Sequence, residues 1–363
     1  VSVNGAFFKI ADGSSRSVIA ESKARESLQS NELSEPGKFL YFRDSLELKL
    51  AYKYVIPGIH QWEPSGIVYV DAITGNVIKR FSEQKNISVQ STVNTLYNGQ
   101  VEITSDSAAI GLFTLVDSTR GNGIEVRNLN GFNSLSPSSD ITDTSSSWSQ
   151  EGYSTGALDV MYALEKSYDY FSTVFGRNSI DNAGIHLTGL VNFGTPTFSY
   201  YFGSSFAFGM AGGNVPSYTS FDIVAHEYVH GIVNYSAAFS TAYEPNALNE
   251  SFCDIFSVAA EHYVKGGPVD YIIGEQLNQY QIPIRSLKNP KINGLADTYT
   301  GQNYGIDVYS RATVQDFWFF LLSEGGYGVN DLLSNYKVDG IGIDKASAIA
   351  YRALTVYLGP SSG

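Results

Sequence analysis

The chain has 363 residues, about the length of two domains. With 43% hydrophobic residues, only 16% charged, 25 Tyr and 21 Phe, it can bury a large core, which excludes a disordered chain and a small stapled fold. A net charge of −13 argues against nucleic acid and anionic lipid as partners, the single Cys253 excludes an internal disulfide, and no apolar run reaches the roughly 18 residues of a membrane span.

Residues 17–28 have helical character. Apolar and polar residues then alternate over 38–81, in Phe39-Leu-Tyr-Phe, Leu46-Glu-Leu-Lys-Leu, Ile67-Val-Tyr-Val and Val77-Ile-Lys-Arg-Phe, which predicts strands; Asp71-Ala-Ile-Thr-Gly-Asn predicts a hairpin turn. Ser82 to Thr95 is polar and poor in large apolar side chains, the composition of a linker. A β pattern returns from Leu96 to Ile141, with turn signals at Asn98-Gly99 and Gly121-Asn-Gly123, and Ser136 to Ser149, almost all Ser, Thr and Asp, predicts a loop. Leu158, Met161, Leu164, Tyr168 and Phe171 predict a helix within 156–175, and the Gly-, Ser- and aromatic-rich 186–213 predicts irregular strands. Helices dominate thereafter, near 220–235, 247–264, 308–323 and 343–357.

The segment His226-Glu227-Tyr-Val-His230 puts two imidazoles at i and i+4, one turn apart on one helix face, the reach needed to share a metal ion. Phe221, Ile223, Val224, Ala225, Val229, Ile232 and Val233 make this helix apolar almost all round, so it is interior. Titratable groups in such a helix are expensive unless paired or coordinating; the alternative is two core histidines satisfied by local hydrogen bonds. Further on, Glu250 and Asp254 are also i and i+4. One can complete a ligand set while the other reaches a ligand imidazole. Alone, the stripe Glu250, Asp254, Ser257 and Glu261 reads as the solvated face of an amphipathic helix; joined to the histidine pair it reads as part of a metal site.

These segments, with Ala247-Leu-Asn-Glu-Ser-Phe-Cys-Asp, Thr95-Leu-Tyr-Asn-Gly-Gln, Thr119-Arg-Gly-Asn-Gly-Ile-Glu, Arg285-Ser-Leu-Lys-Asn-Pro and Tyr351-Arg-Ala-Leu-Thr, resemble the thermolysin-like zinc metallopeptidases of the gluzincin group. The resemblance implies an α+β fold: a propeptide-like β-rich domain over 1–88, then a two-lobed catalytic domain, β-rich over 89–216 and helical over 217–363, with a zinc cleft between the lobes. It implies a secreted zinc endopeptidase made as a proenzyme, acting on peptide or protein substrates before bulky apolar residues, with its own propeptide as a second partner. By resemblance His226, His230 and Glu250 hold one zinc ion, Glu227 is the base, Asp254 orients His226, and Arg285 holds the substrate carbonyl or shapes the pocket that Ile223, Ile273 and Ile284 line. Asp222, Glu261, Asp270 and Glu275 match the ligands of a structural calcium, while Ile272 replaces an acid of the family's second ion.

The chain departs from that pattern in places. Where the family keeps a proton-donating histidine, in Gly-Val-His-x-x-Ser, this sequence has Gly305-Ile-Asp307-Val-Tyr309-Ser310, and all five histidines lie upstream. The acidic partner of that histidine aligns with Gln302, and a tyrosine donor aligns with Thr241, with Tyr243 two residues on as a substitute. The substrate-gripping Asn-Ala-Phe-Trp aligns with Phe198-Ser-Tyr-Tyr. The expectation is therefore an Asp307 at the cleft that slows the enzyme near neutral pH, since an ionised Asp only accepts hydrogen bonds. The alternative is a peptide-binding module of the same fold that does not cut.

Overall fold

The computed structural model describes residues 18–26, 28, 37–44, 47–56, 65–83, 87–109, 112–148, 156–212, 216–277, 280, 282–305 and 307–363, with short strands between 2 and 10. It divides into two units, Val1–Asn86 and Ile87–Gly363.

In the first unit the strands Lys38–Asp44, Glu47–Ile56, Ser65–Asp71 and Val77–Glu83 pair antiparallel, each with the next. The hairpin turn is set by Asp71, whose Oδ1 accepts the backbone N–H groups of Ile73 and Thr74, both at 2.8 Å. Strand alternation sends Tyr54, Val68 and Val70 to one face, where they bury with Ala24 and Leu28, at and just beyond helix α1 (Glu21–Glu26).

The second unit begins with a correction. Ile87–Asn94 is a strand, paired along its length with Gln100–Ala109, where composition suggests a linker. Its inward side chains are small: Ser91 and Val93 are buried, and Ser91 trades a 2.8 Å hydroxyl contact with Ser105. A strand filled by hydroxyls lacks the hydrophobic signal on which the composition reading depends. Two short strands, Ser139–Asp140 and Thr142–Asp143, likewise lie within the stretch expected to be loop, and pair at sheet edges. A hairpin of Gly325–Val329 with Asn335–Asp339 was not expected at all. Ser17, Ser27, residues 45–46, which include Leu46, residues 57–64, 84–86 and 110–111, Ser149, Gly213 and Ile306, which the sequence readings include, lie outside the described residues.

A mixed sheet follows, in the order Val116–Asp117, Ile124–Asn128, Leu187–Phe193, Ser205–Gly209, Ser199–Phe202. Helix α2 (Ala157–Phe175) packs on it so closely that a Cβ on Gly189 would come 2.7 Å from Val160 Cγ1. The helical part comprises α3 (Phe221–Asn234), α4 (Tyr243–Lys265), α5 (Val308–Glu324) and α6 (Ile343–Arg352). Among the described residues no helix is long and apolar enough to cross a membrane.

The segments that first suggest the family hold the fold. Asp159 accepts the N–H groups of Leu96 and Tyr97 at 2.8 and 3.0 Å, and Tyr351 stacks on Phe175 at 4.0 Å between centroids. Arg120 forks onto Asp169 at 2.7 and 2.8 Å and reaches Asp117 at 2.7 Å. Near it, Glu165 accepts the Thr104 N–H at 2.8 Å, and its Oε2 lies 3.6 Å from Arg120. Burial outweighs the arginine and pushes the Glu165 carboxyl up to about 8. A folded-state value above the unfolded one means the folded protein holds the proton more tightly. That stabilisation is complete below about pH 4.5 and is lost as pH rises through about 8. Replacing Glu165 with Gln is therefore expected to flatten the fall in melting temperature between pH 5 and 8; melts with an unchanged slope would show the carboxyl already ionised.

Candidate active site

Helix α3 presents His226, Glu227 and His230 from a nearly fully buried cylinder, against the start of α4. A Cβ on Gly231 would lie 2.8 Å from Ile180 Cδ1, so the residue after His230 must be small for the helix to seat there. The two imidazoles meet edge to face, 4.8 Å between centroids. His226 Nε2 lies 3.3 Å from Glu250 Oε2, and His230 Nε2 lies 3.8 Å from Glu250 Oε1. Two ligand atoms each about 2.1 Å from a tetrahedral ion are about 3.4 Å apart, so this set of two nitrogens and a carboxylate fits zinc.

The far side of each ring is held as well. His226 Nδ1 is 2.7 Å from Asp254 Oδ1, and His230 Nδ1 is 3.0 Å from Asn249 Oδ1. An acceptor on Nδ1 fixes the tautomer that leaves Nε2 free to coordinate. Asp254 is fully buried and takes both Nε and Nη2 of Arg285, at 2.5 and 2.6 Å. Burial opposes its ionisation, yet Arg285 and His226 outweigh burial and hold its carboxyl below the usual carboxylate range. Cys253 also brings its sulfur within 4.8 Å of the two imidazoles. It is fully buried, 3.8 Å from Asn249 Oδ1, and burial pushes its thiol up. The sequence reading did not single out Asn249; an amide next to a candidate ligand, on the helix packed against α3, is the signal for it.

A cavity of about 550 Å³ opens over these residues. Glu227, His226, His230, Glu250 and Arg285 line it, with Ile223 and Ile284, Phe198 and the strand residues Ser199 to Tyr201, Thr241, Asn246, Asn249, Tyr218 and Tyr309. Ile273 is fully buried and does not line it. Ser199–Phe202 ends the mixed sheet, and Tyr200 and Phe202 stand out from it exposed.

Asp307 and Tyr243 are not brought into the cavity, contrary to expectation. Asp307 is the N-cap of α5, and its Oδ1 accepts the Ser310 N–H at 2.7 Å. That is the commonest use of an Asp three residues before a helical N–H, and it turns the carboxylate to the helix end. Tyr243 is 77% exposed and lies against the Arg311 guanidinium, 4.6 Å from its ring centroid. Gln302 is exposed. Asp307→Ala is thus expected to cost about 1 kcal/mol of stability, with Asp307→Asn nearly neutral; a urea titration that finds Asn as damaging as Ala would contradict the capping role.

Asp222, Glu261, Asp270 and Glu275 do gather. Burial and then Asp222 push the Glu261 carboxyl up to about 8 and that of Glu275 up to about 7, and Asp270 adds to both. Glu275 Oε2 is buried with no hydrogen-bond partner among the described residues. The sequence reading missed Lys265, which donates to Glu261 one turn away on α4 and so puts a charge of the chain's own beside the cluster.

Sequence models of the thermolysin metallopeptidase catalytic domain and of its alpha-helical domain match residues 90–234 and 237–363. The chain belongs to the thermolysin family of metallopeptidases. Among similar proteins are a transglutaminase-activating metalloprotease of Streptomyces mobaraensis, 31% identical over 84% of this chain and 42% of that protein, and a bacillolysin of Bacillus amyloliquefaciens, 31% identical over 86% and 58%. A thermolysin of Bacillus sp. (strain EA1) is 29% identical over 91% of this chain and 63% of its own. The chain thus spans about half the length of the relatives it matches. Its fold is also like that of the precursor of protealysin, a metalloproteinase from Serratia proteamaculans: TM-score 0.52, 22% identity, 66% of this chain and 76% of that one. The two-lobed, β-then-helical architecture is that of the family.

Proposed function

We propose that the chain is a secreted zinc endopeptidase made as a proenzyme, cutting peptide or protein substrates before bulky apolar residues. The observation that carries this reading is the convergence of both Nε2 atoms on the Glu250 carboxylate, with Glu227 in the same cavity. Zinc, when bound, supplies a Lewis acid that polarises the scissile carbonyl and brings the pKa of water to about 7. His226, His230 and Glu250 hold the ion, and Asp254 and Asn249 keep the two rings aimed. Glu227, which carries no hydrogen bond from the described residues, takes the proton of the attacking water and passes it to the leaving nitrogen. Ile223 and Ile284 offer aliphatic walls for the side chain beyond the scissile bond, and the edge strand Ser199–Phe202 offers backbone groups to an extended peptide. The likeness to a precursor supports reading the first unit as a propeptide, with the cut falling ahead of the strand Ile87–Asn94.

The test is a peptidase assay on the full chain, using blocked peptides with Leu or Phe after the scissile bond. Zinc-loaded protein should cleave them, a chelator should stop cleavage, and added zinc should restore it. Zinc-loaded protein that binds such peptides and cuts none would favour the binding-module alternative, and failure to retain zinc through dialysis would remove the metal site.

The reading includes one structural calcium at Asp222, Glu261, Asp270 and Glu275, because carboxylates this close repel unless a cation neutralises them. Calcium that binds only the folded state raises its stability by mass action. Melting temperature is expected to rise with micromolar to millimolar calcium, and to rise further in Lys265→Met, where the ion no longer competes with an ammonium for Glu261. A flat response in both proteins would mean the cluster takes no ion.

A further inference from the structure

Hydrolysis moves negative charge on to the carbonyl oxygen of the scissile bond, and the cavity floor already carries the carboxylates of Glu227 and Glu250. A hydrogen-bond donor facing that oxygen is therefore worth more here than in a neutral site. Three lining groups are anchored through only part of their hydrogen-bonding capacity: Arg285 spends Nε and Nη2 on Asp254, Asn249 turns its Oδ1 to His230 Nδ1, and the Tyr201 oxygen accepts from Asn234 Nδ2 at 3.4 Å, each keeping a further N–H or O–H. Tyr200 belongs to an exposed aromatic row, stacked with Phe198 and tilted against Phe202.

Tyr309 differs from all of these. It stands in the first turn of α5, at the place Asp307 fixes by capping the helix. Its ring lies 4.9 Å from the guanidinium carbon of Arg285, a cation–π contact with a group that is itself clamped to Asp254. This fixes the ring without using the hydroxyl, which makes no hydrogen bond among the described residues. Tyr309 is 42% exposed and lines the cavity. After burial, the group that most raises its pKa is the ligand Glu250, followed among the anions by Asp254 and Glu227. The phenol therefore sits in the field of both the metal ligand and the base. Tyr218, the other lining tyrosine near Arg285, feels Asp222 and Glu227 instead, on the calcium side.

Resting on the endopeptidase reading, we infer that Tyr309 donates a hydrogen bond from its hydroxyl to the scissile carbonyl oxygen as that oxygen becomes an oxyanion. In the step, water forms a C–O bond to the carbonyl carbon and gives a proton to Glu227, while the C=O pair moves on to oxygen opposite the Tyr309 O–H. The pair then returns, the C–N bond breaks, and the leaving nitrogen takes the proton from Glu227. The products are an acid and an amine, and Tyr309 keeps its proton throughout. A phenol, with an ordinary pKa of about 10, stays a donor across the working range.

The test compares Tyr309→Phe and Tyr218→Phe with the parent as zinc-loaded full chains. Tyr309→Phe should lower kcat by on the order of 10²–10³ with KM within about twofold, zinc content unchanged, and Tyr218→Phe should change kcat far less. A second readout needs no turnover: calorimetric binding of a phosphinic peptide, whose tetrahedral oxygens mimic the oxyanion, should weaken by a similar factor in Tyr309→Phe. Binding of an ordinary peptide, measured in a Glu227→Gln background, should not change. Equal affinity of parent and Tyr309→Phe for the phosphinic peptide would overturn the assignment even if the parent proves inert on peptides, and an inert parent would count against the endopeptidase reading alone. A larger loss in Tyr218→Phe would transfer the role to that residue.

Discussion

Glu227→Gln is expected to lower peptide hydrolysis by on the order of 10²–10⁴-fold while the protein keeps its zinc. The side chain is buried at 5% exposure beside both imidazoles, yet it ligates nothing in the two-nitrogen, one-carboxylate set. Gln preserves its shape and its place in α3 and removes only the ability to take a proton. His230→Ala is the contrasting change: it removes a ligand, so both zinc and activity should fall together, and added zinc should not restore turnover at ordinary concentrations. Metal analysis alongside kinetics separates the two. Glu227→Gln protein that has lost its zinc would make Glu227 a ligand, and one that keeps near-parental turnover would move the base elsewhere.

The site was legible because it is built on helix periodicity. Two i, i+4 pairs on two helices specify which side chains share a face, and an all-round apolar α3 says that the face is interior, so His226, His230, Glu250 and Asp254 could be named before any coordinate. What escaped was whatever depends on a neighbour distant in sequence or on a weak local signal. Ser91 and Ser105 fill a sheet interior with hydroxyls, so the Ile87–Asn94 strand has linker composition. Lys265 is one turn from Glu261, a pairing the sequence permits, but only the fold shows that Asp222 and Glu275 act on the same ammonium. Asp307 was placed at the cleft by aligning it with a histidine. The capping logic, an Asp three residues ahead of Ser310, was available in the same six residues and gives the observed geometry. Once that carboxylate turns to the helix end, Tyr309 is the residue of this turn that reaches the cavity.

The largest expected effect on stability is at Arg285. Its guanidinium is buried and holds both oxygens of a carboxylate with no exposure at all, and that carboxylate in turn holds His226. Removing one partner of such a pair leaves an uncompensated buried charge, so Arg285→Met is expected to destabilise the fold by about 3–5 kcal/mol. Arg285→Lys keeps the charge but cannot fork onto both oxygens, and should lie between Met and the parent. Asp254→Asn alone should also destabilise, by orphaning the guanidinium. The double variant Asp254→Asn/Arg285→Met removes both charges together, and its loss should be smaller than the sum of the single losses, a coupling that a double-mutant cycle in urea reads directly. Asp316 sits close enough to enter this balance: burial pushes its carboxyl far up, and Ser251 donates to it at 2.6 Å. That burial works against its replacing Asp254 as the counter-charge. Measured on zinc-free protein, the cycle reports the pair without the metal, and strict additivity of the two single changes would mean that Arg285 and Asp254 are not coupled.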